Sequence, residues 1–398
     1  MKKYTTVIIG GGAAGICAAI SQARKSESVV ICEKTSQIGK KILASGNGRC
    51  NLLNEDLRDS NYNPASRELV RSIFSQFGKD AIGNFFKNLG LEIYSKEGRF
   101  FPVTNQAASV WKVLDLELKR LAVPVEFNFE CNDLSFSGSS IIVSSRSGEK
   151  IECRNVVLAG GGKTYPAYGS DGSLYEIASR LGHTLIEPVP AAVPLVVKDN
   201  LCQVLQGQRI SVTARAIIQG RTAAEASGEL LFTQYGLSGT CILDISEEIS
   251  IALHRYHQTE VSVEVDLVPF LSDTQLELEQ DKRQQSGWLP EDRLTGLLPN
   301  KFGPPLKNLF ENRDSAGIVK SLKHRRFKVN GTRGWNEAEF TSGGINVKEV
   351  DAATLESKIR PGVYFAGEIL DVAGRRGGYN LGWAWASGFI AGQTNQSS

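Results

Sequence analysis

The chain is poor in histidine and methionine, and its cysteines lack the spacing of metal centres or cross-links. Its 398 residues hold four histidines and one methionine. His254 and His257 lie three apart, and His183 and His324 are isolated, without cysteine or acidic partners at ligand spacing, so no metal site is expected. The seven cysteines, Cys17, Cys32, Cys50, Cys131, Cys153, Cys202 and Cys241, are odd in number and form no CxxC or CxxxxC. That spacing argues against a disulfide framework, a zinc knuckle and a dithiol reductase, and it suits a reducing, cytoplasmic setting.

Charge of one sign is also missing. Lys and Arg number 45 against 43 Asp and Glu, a formal net charge of +2. No basic stripe for stable nucleic-acid binding is expected. Long apolar runs are absent too. The stretch Val7–Ile20 is interrupted by Gly10, Gly11, Gly12 and Gly15, is flanked by Thr5, Thr6, Ser21 and Gln22, and leads directly into a second strand. It reads as neither a signal peptide nor a membrane span, and no membrane partner is expected. No internal repeat or low-complexity tract appears. Length alone suggests two or three domains.

Glycine is what the chain has in excess. Forty glycines exceed the usual share of about 7%, and they cluster, as they do where backbone approaches a ligand. The first cluster has a clear context. Thr5–Ile9 is β-branched and apolar, as a buried parallel strand should be. Gly10-Gly11-Gly12-Ala13-Ala14-Gly15 follows, then a helical run Ile16–Arg24 and a second strand Val29–Cys32 ending in Glu33. Gly10 permits the tight turn, Gly12 admits a pyrophosphate, and Gly15 lets helix and strand pack closely. The helix N-terminus offers N–H groups and its positive dipole end to the phosphates, and Glu33 suits the ribose hydroxyls of an adenosine. Strand, helix and acid together separate this from an ordinary glycine-rich turn. They do not separate FAD from NAD, which share the ADP half.

Residues 39–51 form a glycine-punctuated loop with three cations and two amides. It suits either phosphate binding or a basic surface loop. Gly160-Gly161-Gly162-Lys163-Thr164 resembles a P-loop, but that motif needs glycine at position 157, which is Val157. The P-loop reading therefore fails. Near the C-terminus, Gly362–Phe365 reads as a strand running into Ala366-Gly367-Glu368. Gly377-Gly378-Tyr379-Asn380 then opens a helix Leu381–Ala391. That helix start offers its positive dipole end to negative charge, or else it is a hinge before an amphipathic helix.

Several ordered blocks resemble one family, the HI0933-like (BaiN-like) NAD(P)/FAD-dependent flavoproteins. They are K-x-x-x-S-G-x-G-R-C-N (Lys41 to Asn51), Leu158-Ala159-Gly160-Gly161 with Tyr165-Pro166, Gly228–Thr233 with Gly236–Gly239, Thr341-Ser342-Gly343-Gly344 with Glu356-Ser357-Lys358, and Tyr364–Glu368 through Asp371 to Gly377–Leu381. Departures are modest. Phe340 stands where Val is usual, Leu355 for Met and Gly382 for Gln, and Arg375-Arg376 fill variable positions.

The resemblance implies an α/β fold: a glutathione-reductase-type, Rossmann-like FAD-binding domain interrupted by an inserted β-barrel-like module and a small helical module. The boundaries expected are 1–190 with 335–398 for the FAD domain, 191–268 with 325–334 for the β module, and 269–324 for the helical module. Its implied FAD contacts near the amino terminus are Gly10, Gly12, Ala13, Ala14, Gly15, Glu33 and Lys34. From the cationic loop come Lys40, Lys41, Gly46, Asn47, Arg49, Cys50 and Asn51. Cys131, Ala159, Gly160 and Gly161 follow. Gly367, Glu368, Asp371, Gly377, Gly378, Tyr379, Asn380 and Leu381 complete the set, with Glu368 expected on the ribityl hydroxyls.

Local patterns add to this. Asn63–Gly90 reads as two helices, Val125–Cys131 and Ile141–Ser145 as strands, and Asn155–Ala159 as a short buried strand. Ser211–Gln219, Glu229–Thr233 and Ser262–Leu267 read as strands, and Thr274–Asn312 as helical and broken by prolines. No second GxGxxG occurs, so NAD(P)H is expected to visit the flavin transiently rather than occupy its own domain. The expected activity is hydride transfer to a small organic acceptor such as an activated C=C. Tyr165 and Tyr379 are the candidate proton donors, each either acting as acid or packing on the ring. Cys50, in its cationic loop, is either a redox thiol or a small core residue. The rival readings are a flavin-dependent RNA-modifying enzyme and a non-enzymatic FAD-binding redox sensor.

Overall fold

A computed structural model describes residues 1–311 and 314–393. The chain divides into two compact units, residues 1–188 with 340–398 and residues 189–339.

In the first unit β1 (Lys2–Ile9), α1 (Ala13–Ala23) and β2 (Val29–Glu33) follow in succession. β1 is buried from Thr6 to Ile9 and β2 throughout, as continuous β-branched runs in a covered parallel sheet should be. The two pair in parallel, and β1 also pairs in parallel with Lys150–Leu158. Val125–Phe127 adds beyond β2, and Val363–Phe365 adds beyond Lys150–Leu158, both parallel. This five-strand parallel core carries an antiparallel extension through Ser140–Ser145 and Cys131–Ser137. The expected strand Val125–Cys131 is therefore two strands, divided where Asn128 takes a left-handed φ of 57°. Arg67–Gln76 and Lys79–Asn88 are the two helices read from 63–90.

The last helix, Tyr379–Ala391, lies directly on α1. A Cβ at Gly388 would overlap the Ala14 carbonyl, and one at Gly392 the Ala18 carbonyl. The two backbones therefore touch without side chains between them. Trp383 and Trp385 of this helix are both buried, donating to Gly367 O at 3.1 Å and Leu52 O at 2.9 Å. They are packing residues.

The second unit is built on a seven-stranded antiparallel sheet. Its order is Arg325–Lys328, Val261–Asp266, Arg209–Ile218, Arg221–Thr233, Gly236–Ser238, Leu195–Val196 and Gly331–Thr332. Thr240–Ser250, inside the stretch read as strand-rich, is a helix. Its buried Ile242, Ile245 and Ile249 lie at helical spacing. Asp273–Gln285 is helical and starts with a capping box from Ser272 and Gln275. Short turns at Pro290–Asp292, Asn300–Phe302 and Lys307–Leu309 then follow the prolines. The expected helical stretch ends at Asn312, which lies outside the described residues, as does the end of the 335–398 segment. The mixed α/β architecture, with a parallel Rossmann-like sheet and further antiparallel sheets, is the fold expected from the sequence. Among the described residues no helix is long and apolar enough to cross a membrane.

Candidate functional site

The site lies in the first unit and begins at the turn between β1 and α1. Gly10 has φ 106°, and a Cβ there would meet Ala159 O at 2.5 Å. The second glycine cluster thus crosses directly over the first. A Cβ at Gly15 would overlap Gly10 O, which is why helix and strand can pack so closely. Gly12 is different. It caps α1 with no side-chain hydrogen bond, and a Cβ there would meet nothing within 4 Å. An uncapped helix start facing open space can bind a diphosphate. Glu33, buried at the end of β2, accepts from Gly11 N at 2.8 Å and Thr35 N at 2.8 Å. Its carboxylate is fixed beside that turn. Lys34 points to Asp171 at 2.6 Å.

The glycine blocks converge on Glu368. Lys41 Nζ lies 2.7 Å from Glu368 Oε2, and Thr341 N donates to Oε1 at 2.7 Å. Thr164 Oγ1 donates to Oε1 at 3.3 Å and Gly162 N to Oε2 at 3.4 Å. Lys41 also donates to Thr164 Oγ1 at 3.0 Å and Ser170 Oγ at 3.5 Å. One carboxylate therefore joins the cationic loop, the 160–164 crossing, the 341–344 strand and the 367–368 turn. Such charge-assisted contacts fix its orientation. Lys41 and Glu368 were among the expected cofactor contacts, whereas Thr164, Ser170 and Thr341 were not. The available signal was a hydroxyl placed within or beside each glycine cluster.

The closing turn sits against another hairpin. Leu53–Asn54 pairs with Arg99–Pro102, and Asn54 Nδ2 donates to Gly377 O at 2.9 Å. Gly378 has φ 97°, and a Cβ there would overlap the Leu53 carbonyl carbon, so only glycine fits. Tyr379–Ala391, like α1, starts without a side-chain cap. Asn51, with its amide turned to suit its neighbours, accepts from Gly378 N at 3.2 Å. Asn380 closes the preceding loop, exchanging two 2.9 Å hydrogen bonds with Gly374. Asp371 is buried and accepts from Asn63 Nδ2 through its carbonyl at 3.2 Å. Leu381 is half-buried beside them.

Tyr379 is buried, its ring edge-on to Tyr62 at 5.9 Å, and Tyr62 Oη donates to the Tyr379 carbonyl at 2.9 Å. Burial raises the Tyr379 phenol above its ordinary value of 10.0; Asp56 adds to the rise, while Arg375, Arg99 and Arg58 oppose it. Tyr165, half-buried at φ 55°, stacks on Tyr168 at 5.6 Å.

Cys50 is fully buried, and burial pushes its thiol up to about 12, with the Ser45 contact opposing. Cys131 is likewise buried and pushed up to about 12. Neither holds a thiolate near neutral pH. Gly46, Asn47 and Arg49 are exposed, and Lys40, half-buried, starts the short helix Lys40–Ala44. Ala13, Gly160 and Gly161 border the turn and are half-buried, while Ala14, Ala159 and Gly367 are buried.

These residues suit a dinucleotide with a flavin. An open, uncapped helix start takes a diphosphate, a fixed acid lies at the end of β2, and a second uncapped helix start lies past the Glu368 cluster.

The comparisons agree with this geometry. The model of the HI0933-like protein Rossmann domain matches residues 4–394. The chain is 37% identical over 403 residues to the 3-dehydro-bile acid delta(4,6)-reductase of Clostridium scindens, covering 97% of each. It is 29% identical over 407 residues to the ribosomal RNA dihydrouridine synthase of Haemophilus influenzae, covering 98% of each. The open conformation of a flavocytochrome c3 fumarate reductase shares the fold, with TM-score 0.52 at 14% identity, covering 98% of this chain and 78% of that one. The chain belongs to the HI0933-like family of Rossmann-domain flavoproteins and is an oxidoreductase.

Proposed function

We propose that this chain is an FAD-dependent reductase that draws hydride from NAD(P)H and adds hydrogen across an electron-poor C=C conjugated to a carbonyl. The observation that carries this reading is the 37% identity, across 97% of both chains, to a reductase named for the Δ4,6 positions of a 3-dehydro bile acid. FAD, when bound, supplies a two-electron carrier that accepts hydride from the nicotinamide and donates it to the acceptor.

The chain's own residues bind, orient and supply a proton. Gly12, Ala13 and Ala14 present the α1 N-terminus to the diphosphate, and Glu33 takes the adenosine ribose. Glu368, oriented by Lys41, Thr341 and Thr164, takes the ribityl hydroxyls. The N-terminus of the last helix, which has no side-chain cap, would present its positive end to developing negative charge. Hydride addition to a conjugated C=C leaves an enolate that needs one proton. We assign that proton to the Tyr379 phenol, which burial keeps protonated through neutral pH. Cys50 we assign to packing, and Tyr165 to the wall formed with Tyr168.

A second reading has one specific observation behind it. The relative at 29% identity is named a ribosomal RNA dihydrouridine synthase, and uracil also carries a C=C conjugated to a carbonyl. The near balance of 45 basic and 43 acidic residues favours a small acceptor over a polyanion.

Anaerobic assays of the FAD-loaded protein test both. The expected result is flavin bleaching by NADH or NADPH, followed by re-oxidation on adding a 3-oxo-4,6-diene steroid acid, with product heavier by two hydrogens. Re-oxidation by ribosomal RNA alone, yielding dihydrouridine, would replace the first reading with the second.

A further inference from the structure

We propose that Arg99 and Arg375 bind an oxyanion beside the Tyr379 phenol, carried either as a carboxylate on the acceptor or as the pyrophosphate of the nicotinamide donor. The inference rests on the reading of this cleft as a reductase site and names what else its substrates must carry.

Three arginines surround that phenol electrostatically, and they are not equivalent. Arg58 is neutralised: its Nε lies 2.6 Å from Asp56 Oδ1 and its Nη2 lies 2.7 Å from Oδ2. Among the described residues no such ion pair forms at Arg99 or Arg375, and both are exposed. Arg99 opens the strand Arg99–Pro102, where it pairs with Asn54. Its guanidinium lies over the closing turn, because a Cβ at Gly377 would sit 3.2 Å from Arg99 Nε and 3.7 Å from its Cζ. Asn54 holds the same turn through Gly377 O.

Arg375 is held through its backbone, and its side chain is exposed. Its N–H donates to Asn61 O at 3.0 Å, and Asn380 Nδ2 reaches its carbonyl at 3.5 Å. Both guanidinium groups act on the Tyr379 phenol, opposing the rise that burial causes. A third cation shares the face. Two residues beyond Arg99 on the same side of its strand, Phe101 carries Arg49 over its ring at 5.5 Å.

Like charges gathered without counter-charges repel one another, and each guanidinium presents a planar donor fork that matches a carboxylate or phosphate. Three cations around one turn suit a single compact anion. A polyanion would need a longer stripe.

The test uses the FAD-loaded protein and the variant Arg99→Gln/Arg375→Gln. Three quantities are measured: flavin content, the apparent Kd of NADH and NADPH from stopped-flow flavin reduction, and KM for 3-oxochol-4-en-24-oate and its methyl ester. Losing charge-assisted hydrogen bonds predicts about a tenfold effect. If the acceptor carries the anion, the wild type prefers the acid and the variant loses that preference. If the donor carries it, the Kd of NADH or NADPH rises by about that factor. Changes below about twofold in all of these, with flavin retained, overturn the proposal. So does loss of flavin from the variant, which would place the arginines on FAD itself, and so does RNA binding that the variant abolishes.

If the wild type is neither reduced by a nicotinamide nor able to reduce the steroid, the reductase reading fails separately. Phenylglyoxal modification, mapped by mass spectrometry, then decides the anion site alone. Protection of Arg99 and Arg375 by inorganic pyrophosphate supports it, and equal modification with and without pyrophosphate overturns it.

Discussion

Lys41 Nζ lies 2.7 Å from Glu368 Oε2, joining residues 327 apart in the chain. The pair is partly exposed, with side-chain exposures of 31% and 19%, so its value lies in orientation more than in global stability. It holds the Glu368 carboxylate where four glycine-bearing segments meet. Lys41→Met and Glu368→Gln should each weaken FAD binding by about tenfold and leave the fold intact. Because the two act as one unit, the double variant should lose less than the product of the single losses. Titration of FAD into apoprotein, followed by flavin fluorescence, measures all three.

Tyr379→Phe separates binding from proton delivery. The variant keeps the ring that packs on Tyr62 and loses only the hydroxyl. Flavin reduction by the nicotinamide should change little, while turnover with the acceptor should fall by about a hundredfold or more. The pH dependence follows in sign. The acid form is the active one and its pKa is raised above 10.0. Turnover should therefore stay level from neutral pH upward and decline only above that ordinary value. A Tyr379→Phe variant with wild-type turnover would remove Tyr379 from the chemistry.

Gly388 tests the crossing of α1 with the last helix. Gly388→Ala places a methyl group against the Ala14 carbonyl, and backbone on both sides leaves little room to yield. Destabilisation of about 1–3 kcal/mol is expected for such overpacking. Thermal unfolding with and without added FAD measures it, and FAD affinity should fall too, because Ala14 begins the helix assigned to the diphosphate. An unchanged unfolding temperature would mean that the helices separate more easily than their geometry implies.

His183 predicts an acid limit to stability. Its buried ring contacts Glu349 Oε2 at 3.2 Å through Nδ1 and Ser357 Oγ at 2.8 Å through Nε2. Burial lowers its pKa below the ordinary 6.5, and the nearby Glu349 carboxylate opposes that shift only in part. The unfolded chain therefore takes up this proton first as pH falls. Stability should be full above about 6.5 and decline below it, until the folded-state ring also protonates. Unfolding temperatures across pH 5–8 should show this decline in the wild type, and a shallower one in His183→Gln.

The nucleotide end of the fold was legible because its signals are local. β-branched residues from Thr5 to Ile9, glycines at fixed offsets and an acid at the end of the next strand each constrain the backbone where they stand. The two helices read from 63–90 were legible for the same reason, the second from Ile82, Phe85, Phe86 and Leu89 on one face. Helix Thr240–Ser250 was not, because Ile242, Ile245 and Ile249 are β-branched and sit among strands, so composition outweighed their spacing. The break at Asn128 depends on one left-handed residue, which leaves no pattern. The meeting of Lys41 with Glu368 and the approach of Arg99 to Gly377 are long-range. The sequence marks each residue as polar beside glycine but contains nothing that pairs them.

The central claim is that a flavin dinucleotide runs from the Gly10–Gly15 turn past Glu368 to the Gly377–Gly378 turn. Flavin release from the purified chain, after reconstitution with FAD, tests it most directly. The account predicts one FAD per chain, with Gly12→Asp reducing that occupancy to near zero by placing a like charge at the diphosphate. A wild-type chain that stays colourless after reconstitution, or a Gly12→Asp chain that binds FAD as well as the wild type, would contradict it.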